Sequence, residues 1–451
     1  MPTMQTMIFR RKIYQTILEW KQRSNGSSAL LIEGARRVGK STVVEEFGKS
    51  EYASYILIDF MRPRPGTIDI FESYSYDVGL LTSNLSILYG TPLEARRSLI
   101  IFDEVQKYPK ARELIKYLVK DGRYDYLETG SLISIKENVK DIQIPSEEEV
   151  VQMNPMDFEE WLWANGDDGT MDLIRRHFDN REPLGQTMHR IIMEKFRLFM
   201  ITGGMPGSVS AFLEGRQITD SENVKRQILR LYREDMHKNR KDSLSLSRIF
   251  DTIPGRLSAR NKVFRPGFVR KDTLTEDYAE AFEWLSESKI VSLCVSNSDP
   301  GVAMNLNNDP GRFKTYLLDT GLLISLAFDV GTVDESSFVS LAKSKLGINE
   351  GMLFENMAAQ GLVSSGHRLY FHEFYRNGDG KHLYEVDFII VKGKKIIPIE
   401  VKSSSSSRHV SLDMFVEKYK ARISEAFVVH QKDLRAADGI IYIPIYMVTL
   451  L

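Results

Sequence analysis

One short segment near the N-terminus constrains the fold more than any other part of the chain. Residues 34–41 read GARRVGKS and match the pattern G-x-x-x-x-G-K-[ST]. An apolar run at residues 29–32 precedes this segment, and a helix-like stretch follows it. The strand–loop–helix context predicts a phosphate-binding loop, because backbone N–H groups and the N-terminal end of a helix both attract phosphate oxygens.

The residues of this loop have individual expected roles. We expect Lys40 to contact the β- and γ-phosphates of ATP, Ser41 to ligate Mg²⁺, and Thr42 to support the region of the α-phosphate. The other loop residues offer backbone N–H groups to the phosphates. The predicted nucleotide-binding residues are Gly34, Ala35, Arg36, Arg37, Val38, Gly39, Lys40, Ser41 and Thr42.

A second segment supplies the carboxylates that nucleotide hydrolysis requires. Residues 98–104 read SLIIFDE, the pattern of a buried strand that ends in two adjacent acids. We expect Asp103 to complete the Mg²⁺ site and Glu104 to polarise the attacking water. The alternative is a solvated acidic pair at a strand end, which the phosphate loop earlier in the chain disfavours.

The strand that follows ends in LETGS over residues 127–131. Its position predicts that a polar side chain there senses the γ-phosphate between the two nucleotide-binding strands. Thr129 and Ser131 are the candidates, and we assign Thr129 to the catalytic set. The alternative is ordinary turn chemistry, since Thr followed by Gly and Ser is common where strands end.

Strand-like and helix-like patterns alternate over the first part of the chain. Apolar runs recur at residues 29–32, 55–60, 98–102 and 124–127, with helical patterns between them. This alternation predicts a parallel, doubly wound sheet. Residues 8–23 carry apolar side chains at helical spacing and predict an amphipathic helix in front of it.

Several further segments carry a resemblance to a known group of proteins. In chain order, the segments read GARRVGKST, SLIIFDEVQKYP, LETGSLISI, MNPMDFEEWLW, GGMP, IFDTIPGRLSARNKVF, KTYLLDTGLL and GMLFEN…EVDFII…IPIEVKSS. Over almost its whole length the chain resembles prokaryotic AAA+-type ATP-binding proteins. Those proteins carry a C-terminal domain of unknown function that itself resembles PD-(D/E)xK restriction endonucleases. The resemblance implies an ATPase that uses ATP and Mg²⁺.

The expected fold class is therefore multidomain α/β. We expect an N-terminal amphipathic helix in residues 1–25 and a P-loop AAA+-type ATPase domain with a parallel α/β sheet in residues 26–195. A helical and winged-helix domain is expected in residues 196–330, and a restriction-endonuclease-like α/β domain in residues 331–451. Many relatives have a Gly-Arg pair before the NPxxFEE-like segment, but the interval here reads IPSEEEVVQMN. The position of an arginine finger and the formation of a homo-oligomer therefore stay open.

The net charge of −1 conceals two strongly charged regions of opposite sign. Residues 141–182 contain 12 Asp or Glu and 3 Lys or Arg. Residues 221–270 contain 5 Asp or Glu and 13 Lys or Arg. The order of elements in residues 245–295, with a helix break at Pro254, is that of a winged helix. The basic region predicts contact with DNA phosphates, and the alternative is docking onto the acidic region. The candidate DNA contacts are Arg256, Arg260, Lys262 and Arg265.

Four residues near the C-terminus have the spacing of a PD-(D/E)xK nuclease site. Glu355 lies in a helical pattern, Asp387 lies within the apolar strand YEVDFIIV, and Glu400 and Lys402 end the strand KIIPIEVK. In such a site the carboxylates ligate Mg²⁺ and the lysine helps to activate water. The alternative is a degenerate site, because Glu and Lys two apart on a strand also form an ordinary pair on one face.

The cysteine count and the distribution of apolar residues indicate the cellular compartment. Cys294 is the only cysteine, which excludes an internal disulfide framework and a multi-cysteine zinc site. The sequence contains no membrane-spanning tract, and its first residues turn basic where a signal peptide would be apolar. We therefore expect a cytoplasmic protein that does not enter membranes.

Three functions fit these features. The leading hypothesis is an Mg²⁺-dependent ATPase that acts on duplex or branched DNA. The second is a nucleotide-dependent switch or scaffold for protein partners, in which the nuclease-like domain is inactive. The third is a nuclease that ATP controls.

Overall fold

The structure is a computed structural model that describes residues 7–130, 145–238, 243–264, 275–328, 350–376, 379–403 and 409–451. Of the predicted site residues, Ser131 and Arg265 lie outside these ranges. The chain forms two compact units, residues 1–154 with 287–289, and residues 155–286 with 290–451. Within the described ranges, every helix is too short or too polar to cross a membrane.

The first unit is built on a five-stranded parallel sheet. Its strands are β1 (Ala29–Glu33), β2 (Ser54–Asp59), β3 (Ser98–Asp103), β4 (Asp125–Gly130) and β5 (Glu148–Gln152). They lie in the order β2-β3-β4-β1-β5, and every neighbouring pair is parallel. Strands β1, β3 and β4 are buried along their whole length, as expected for a sheet covered on both faces. The predicted parallel α/β sheet is confirmed.

Within the described residues of this unit, six helices accompany the sheet. They are α1 (Lys12–Ser24), α2 (Lys40–Glu51), α3 (Thr67–Tyr74), α4 (Val78–Tyr89), α5 (Pro109–Glu113) and α6 (Ile115–Asp121). An aromatic cluster packs on one face of the sheet, where the Phe71 ring lies 5.7 Å from Phe60 and 5.8 Å from Phe102. These edge-to-face contacts add to the burial of apolar area that holds α3 on the strands.

Several helices of the second unit begin at positions that the sequence marks. Helix α7 (Phe158–Ala164) begins with a capping box, in which Asp157 and Glu160 each accept a hydrogen bond from the other's backbone N–H. Helix α10 (Pro206–Gly215) has Pro206 in its first turn, where a missing N–H costs nothing. The other helices that the structure describes in this unit are α8 (Thr170–Asn180), α9 (Gln186–Thr202), α11 (Ile218–Lys238), α12 (Ser243–Ser258), α13 (Thr275–Glu287), α14 (Thr320–Ala327), α15 (Glu350–Ser364) and α16 (Val410–Tyr419).

The second unit contains an eight-stranded mixed sheet. Its strands are β6 (Val291–Asn297), β7 (Asn308–Leu317), β8 (Tyr370–Arg376), β9 (Asp379–Lys392), β10 (Lys395–Val401), β11 (Phe427–His430), β12 (Arg435–Ala437) and β13 (Ile440–Pro444). They lie in the order β12-β13-β11-β10-β9-β8-β6-β7. Strands β8, β9 and β10 are antiparallel neighbours, whereas β11 is parallel to β10. Strand β6 is parallel to β8, so the β6–β7 hairpin is part of this sheet.

The helix break expected at Pro254 is absent. Residues 243–258 form the single helix α12, with Pro254 inside it. Proline removes one hydrogen bond from a helix and normally kinks or breaks it. Here the buried side chains of Ile253 and Leu257 flank the proline, so tertiary packing supports the helix where its own hydrogen bonding is weakened.

Two segments that carry the family resemblance meet in the core of the second unit. The Asp319 side chain is 0% exposed and caps α14 by accepting a hydrogen bond from the Leu322 N–H at 2.8 Å. Its other carboxylate oxygen accepts from the Gly204 N–H at 2.6 Å. A Cβ atom on Gly203 would lie 2.4 Å from Asp319, and one on Gly321 would lie 2.6 Å from Gly203. The GGMP and LLDTGLL segments are therefore explained by packing and hydrogen bonding.

Replacement of Asp319 should destabilise the second unit. In Asp319→Ala, α14 loses its cap and the buried Gly204 N–H loses its acceptor, so we expect the free energy of unfolding to fall by about 2–4 kcal/mol. Urea denaturation followed by circular dichroism measures this change. The control is Glu417→Ala, which removes an exposed carboxylate from α16. Equal stability of the two variants would contradict the role of Asp319.

Candidate nucleotide-binding site

The loop between β1 and α2 has the conformation that its glycines permit. Gly39 has φ +97° and Arg37 has φ +73°, both in the left-handed region. A Cβ atom at Gly34 would lie 2.3 Å from the carbonyl oxygen of Met153, so a side chain has no room at this position. The loop therefore needs glycine at its start for space and at its end for backbone conformation.

Lys40 points back across this loop. Its ammonium group donates to the carbonyl oxygens of Gly34 at 3.0 Å and Ala35 at 3.1 Å. Burial lowers the pKa of Lys40, while the carboxylates of Glu104 and Asp103 act to raise it. A buried cation held only by neutral carbonyls near two acids is suited to bind a phosphate group.

Three buried strands bring the other predicted residues together. The Ser41 hydroxyl donates to Asp103 Oδ1 at 2.9 Å, and the Thr129 hydroxyl donates to the same oxygen. The Glu104 N–H donates to the Thr129 hydroxyl oxygen at 3.1 Å. Thr129 thus fixes the side chain of Asp103 and the backbone of Glu104 at once. Burial raises the pKa of Asp103, and the hydrogen bonds from Thr129 and Ser41 act to lower it.

Glu104 is held in an unusual backbone conformation. Its φ of +55° lies in the left-handed region, which costs about 1–3 kcal/mol for a residue other than glycine. The Gln106 side-chain amide donates to Glu104 Oε2. The sharp turn after β3 therefore directs the Glu104 carboxylate, and Gln106 is a positioning residue that the sequence analysis did not identify.

The chemistry of Ser41 and Asp103 fits a magnesium ion bound together with ATP. A hydroxyl and a carboxylate are hard oxygen ligands, and Mg²⁺ is usually held by one or two protein ligands together with substrate phosphates. Within the described ranges, no group of three or more His, Cys, Asp or Glu side chains has an arrangement that would hold a metal ion.

Arg11 contacts the loop from outside the predicted motif. This side chain is 7% exposed and precedes α1. Its guanidinium donates to the carbonyl oxygen of Val38 at 2.8 Å and to that of Asn154 at 2.7 Å. Because both acceptors are backbone atoms, no side-chain motif indicates this contact. Arg11 fixes the middle of the phosphate loop to the segment that follows β5.

Loss of Arg11 should weaken nucleotide binding. In Arg11→Ala the loop loses a charged hydrogen bond to Val38, and we expect the Kd for ATP to rise at least tenfold, because such bonds contribute roughly 1.5–3 kcal/mol. Isothermal titration with ATP and Mg²⁺ measures the effect. Arg23→Ala is the matched control, since Arg23 joins α1 to Glu149 of β5 without a contact to the loop. An unchanged Kd in Arg11→Ala would refute this role.

The four predicted nuclease-like residues lie in a second polar cluster. Asp387 Oδ2 accepts from the Val401 N–H at 2.8 Å, and the Lys402 ammonium lies 2.6 Å from Glu400 Oε1. Burial, followed by the charge of Asp387, raises the pKa of Glu400 to about 8. Glu355 and Asp387 both lie near the ammonium of Lys314, at 3.6 Å and 3.8 Å. The structure therefore brings the predicted residues to one region of the second unit.

Three members of this cluster were missed by the sequence analysis. They are Lys314 and Tyr316 on β7, and Glu385 on β9. Lys314 lies 2.5 Å from Glu385 Oε1, and the Tyr316 hydroxyl donates to Glu355 Oε1 at 2.5 Å. The signal was present in the alternation of each strand, because K-x-Y and E-x-D place both polar residues on one face.

The predicted DNA contacts have different environments. Arg256 donates to the carbonyl oxygens of Asn261 and Val263, at 3.2 Å and 3.0 Å, and so supports the turn after α12. The Lys262 side chain is 21% exposed, and its ammonium pairs with Glu355. Arg260 is exposed. Lys262 therefore belongs to the carboxylate cluster, whereas Arg260 is available to a partner.

Comparison with protein families agrees with the geometry of the first site. Residues 26–162 match the model of an AAA domain. Residues 193–332 and 350–448 match two models described as domains of unknown function, DUF8612 and DUF4143. The sequence has no match among curated proteins.

Solved structures show only weak overall similarity. A Signal Transduction ATPase with Numerous Domains (STAND) protein with a tetratricopeptide repeat sensor from Pyrococcus horikoshii matches with TM-score 0.28 and 11% identity over 81% of this chain. The match covers 50% of the STAND protein, so this chain spans half of its length. The Orc1 protein of Aeropyrum pernix in complex with DNA gives TM-score 0.29 and 10% identity over 75% of this chain and 93% of that one. Cdc6p from Pyrobaculum aerophilum matches with TM-score 0.28 and 10% identity, over 77% of this chain and 97% of Cdc6p.

At these scores the solved structures establish no shared overall fold, and the assignment depends on the AAA match and on the loop itself. The matched segment contains the phosphate loop, the Asp103–Glu104 pair and the parallel sheet that positions them. Residues 26–162 therefore match an AAA domain, and their parallel sheet fits a P-loop ATPase core.

Proposed function

We propose that this protein is an Mg²⁺-dependent ATPase that acts on DNA. The observation that carries the ATPase proposal is the convergence of Ser41, Thr129 and Glu104 on Asp103 beside a preformed phosphate loop. Each group that hydrolysis of a phosphoanhydride requires is present there: a phosphate cradle, a cation, a pair of metal ligands and a carboxylate for water.

The residues divide the reaction between them. When ATP binds, the Lys40 ammonium exchanges its two carbonyl acceptors for phosphate oxygens. Ser41 and Asp103 would hold Mg²⁺, which neutralises charge on the phosphates when it is bound. Glu104 orients the attacking water and accepts its proton, and Gln106 and the left-handed turn keep its carboxylate in place.

Substitution of Glu104 should separate binding from hydrolysis. We expect Glu104→Gln to retain ATP binding and to reduce kcat by about 10²–10⁴, because the amide cannot accept the proton. Lys40→Ala should instead lose ATP binding. Phosphate release and equilibrium titration with ATP measure the two effects. Glu94→Gln, at an exposed position of the same unit, is the control, and wild-type turnover by Glu104→Gln would exclude this assignment.

The basic region supports DNA as the partner. Exposed cations lie on α12 and directly after it, at Arg248 and Arg260, and on α11 at Arg230 and Lys238. Cations on a surface attract phosphate without regard to base sequence. The winged-helix interpretation is retained within this proposal, because a helical segment leads into the β6–β7 hairpin.

The DNA proposal predicts a stimulated ATPase activity. We expect duplex or branched DNA to raise the rate of phosphate release several-fold, and Arg248→Glu/Arg260→Glu to abolish this increase while its basal rate stays unchanged. Lys394→Glu reverses an exposed charge elsewhere in the same unit and serves as the control. A panel of linear and branched DNAs at low and moderate salt gives the measurement. The absence of stimulation by every DNA would contradict the proposal.

The second candidate function is a nucleotide-dependent switch or scaffold for protein partners. One observation favours it: the carboxylates of the nuclease-like cluster are paired with lysines. The order α15, β8–β9–β10, α16 and β11 supports a restriction-endonuclease-like arrangement for this part of the chain. If the protein is such a switch, we expect it to hydrolyse ATP at a rate that DNA does not change.

A further inference from the structure

We propose that Lys314 is a resident cation of the C-terminal carboxylate cluster and fills the position that a divalent metal ion takes in a nuclease with these ligands. The cluster comprises Glu355, Glu385, Asp387 and Glu400 with Lys262, Lys314, Lys402 and Tyr316. The inference concerns the second unit alone, and neither the ATPase proposal nor the DNA proposal is needed for it.

The distances place the ammonium of Lys314 among three carboxylates. Its Nζ lies 2.5 Å from Glu385, 3.6 Å from Glu355 and 3.8 Å from Asp387. A divalent ion bound to the same oxygens at about 2.0–2.6 Å would occupy the space that the ammonium takes. The donor set is therefore suited to a metal only if this lysine is absent.

Lys314 is fixed in this position by its strand. Its side chain is 0% exposed, and in β7 it lies opposite Cys294 of β6. The ammonium also lies 5.0 Å from the centre of the Phe371 ring, a favourable contact for a desolvated cation. The lysine side chain itself is buried in the middle of a paired strand, although its partner Glu385 is 32% exposed, so the cation lies on the inner side of the cluster.

Other oxygens of the cluster accept from protein donors, whereas Glu400 Oε2 is buried without a hydrogen-bond partner. Glu355 accepts from Lys262 and from the Tyr316 hydroxyl, and Asp387 accepts from the Val401 N–H. Burial acts to lower the pKa of Lys314, but Glu385, Glu355 and Asp387 raise it well above its ordinary value. The lysine therefore stays charged, as the neutralisation of buried carboxylates requires.

This arrangement gives the cluster a structural function. The charged groups connect α15, β7, β9 and β10, with a lysine at the centre where hydrolysis would need a metal-bound water. Asp387, Glu400 and Lys402 retain the order of a nuclease site. Lys314 lies beside Asp387, one of the two carboxylates that would hold the metal, and so competes with a metal ion for that ligand.

Binding of Mn²⁺ to the full chain without nucleotide tests the proposal. Electron paramagnetic resonance of free Mn²⁺ gives the number of ions bound per chain. We expect wild type and Asp387→Asn to bind equally, and Lys314→Ala to gain one ion at a Kd at least tenfold lower than any wild-type site. The gain should disappear in Lys314→Ala/Asp387→Asn. Lys225→Ala is the matched control, because it removes another fully buried lysine of the same unit.

Two results of the Mn²⁺ titration would overturn the proposal. An Mn²⁺ ion bound by wild type and lost in Asp387→Asn overturns the proposal, because it places a metal where Lys314 lies. A folded Lys314→Ala protein that gains no ion also overturns it. If Lys314→Ala does not fold, the comparison of wild type with Asp387→Asn still separates a lysine-filled cluster from a metal site.

Discussion

The strand order of the first sheet is the constraint on which the nucleotide site depends. Because β4 lies between β3 and β1, the carboxyl ends of three parallel strands meet at one edge. Ser41 follows β1, Asp103 ends β3, and Thr129 lies near the end of β4. A single carboxylate oxygen then receives both hydroxyl groups. Without this order, the same side chains would end far apart.

The nucleotide-binding site and the C-terminal carboxylate cluster differ in how their buried charges are neutralised. In the first, Lys40 is satisfied only by carbonyl oxygens, so a phosphate can replace its partners without an ion pair being broken. In the second, carboxylates and lysines already neutralise one another. A site with charge left to satisfy can bind a ligand, whereas removal of one partner from an internally neutralised site leaves an uncompensated buried charge.

The determinants that the sequence offers for the first site are local. The phosphate loop and the Asp103–Glu104 pair each lie within one short segment, and alternating apolar runs are sufficient to predict a parallel sheet. The environments of Lys262 and Arg11 could not be predicted this way. Lys262 pairs with Glu355, 93 residues away, and Arg11 binds backbone oxygens that have no sequence signature. The continuous helix through Pro254 could not be predicted either, because tertiary packing overrides the tendency of proline to break a helix.

The pairing of β6 with β8 has a consequence for any attempt to divide the protein. Residues 193–332 and 350–448 match separate family models, yet one continuous sheet crosses from the first to the second through Val295 and Tyr370. A fragment that ends between these matches would leave the backbone N–H and C=O groups of β6 without this neighbour, and such an open edge invites aggregation. The two matched segments of this chain therefore contribute strands to one sheet, which neither segment completes by itself.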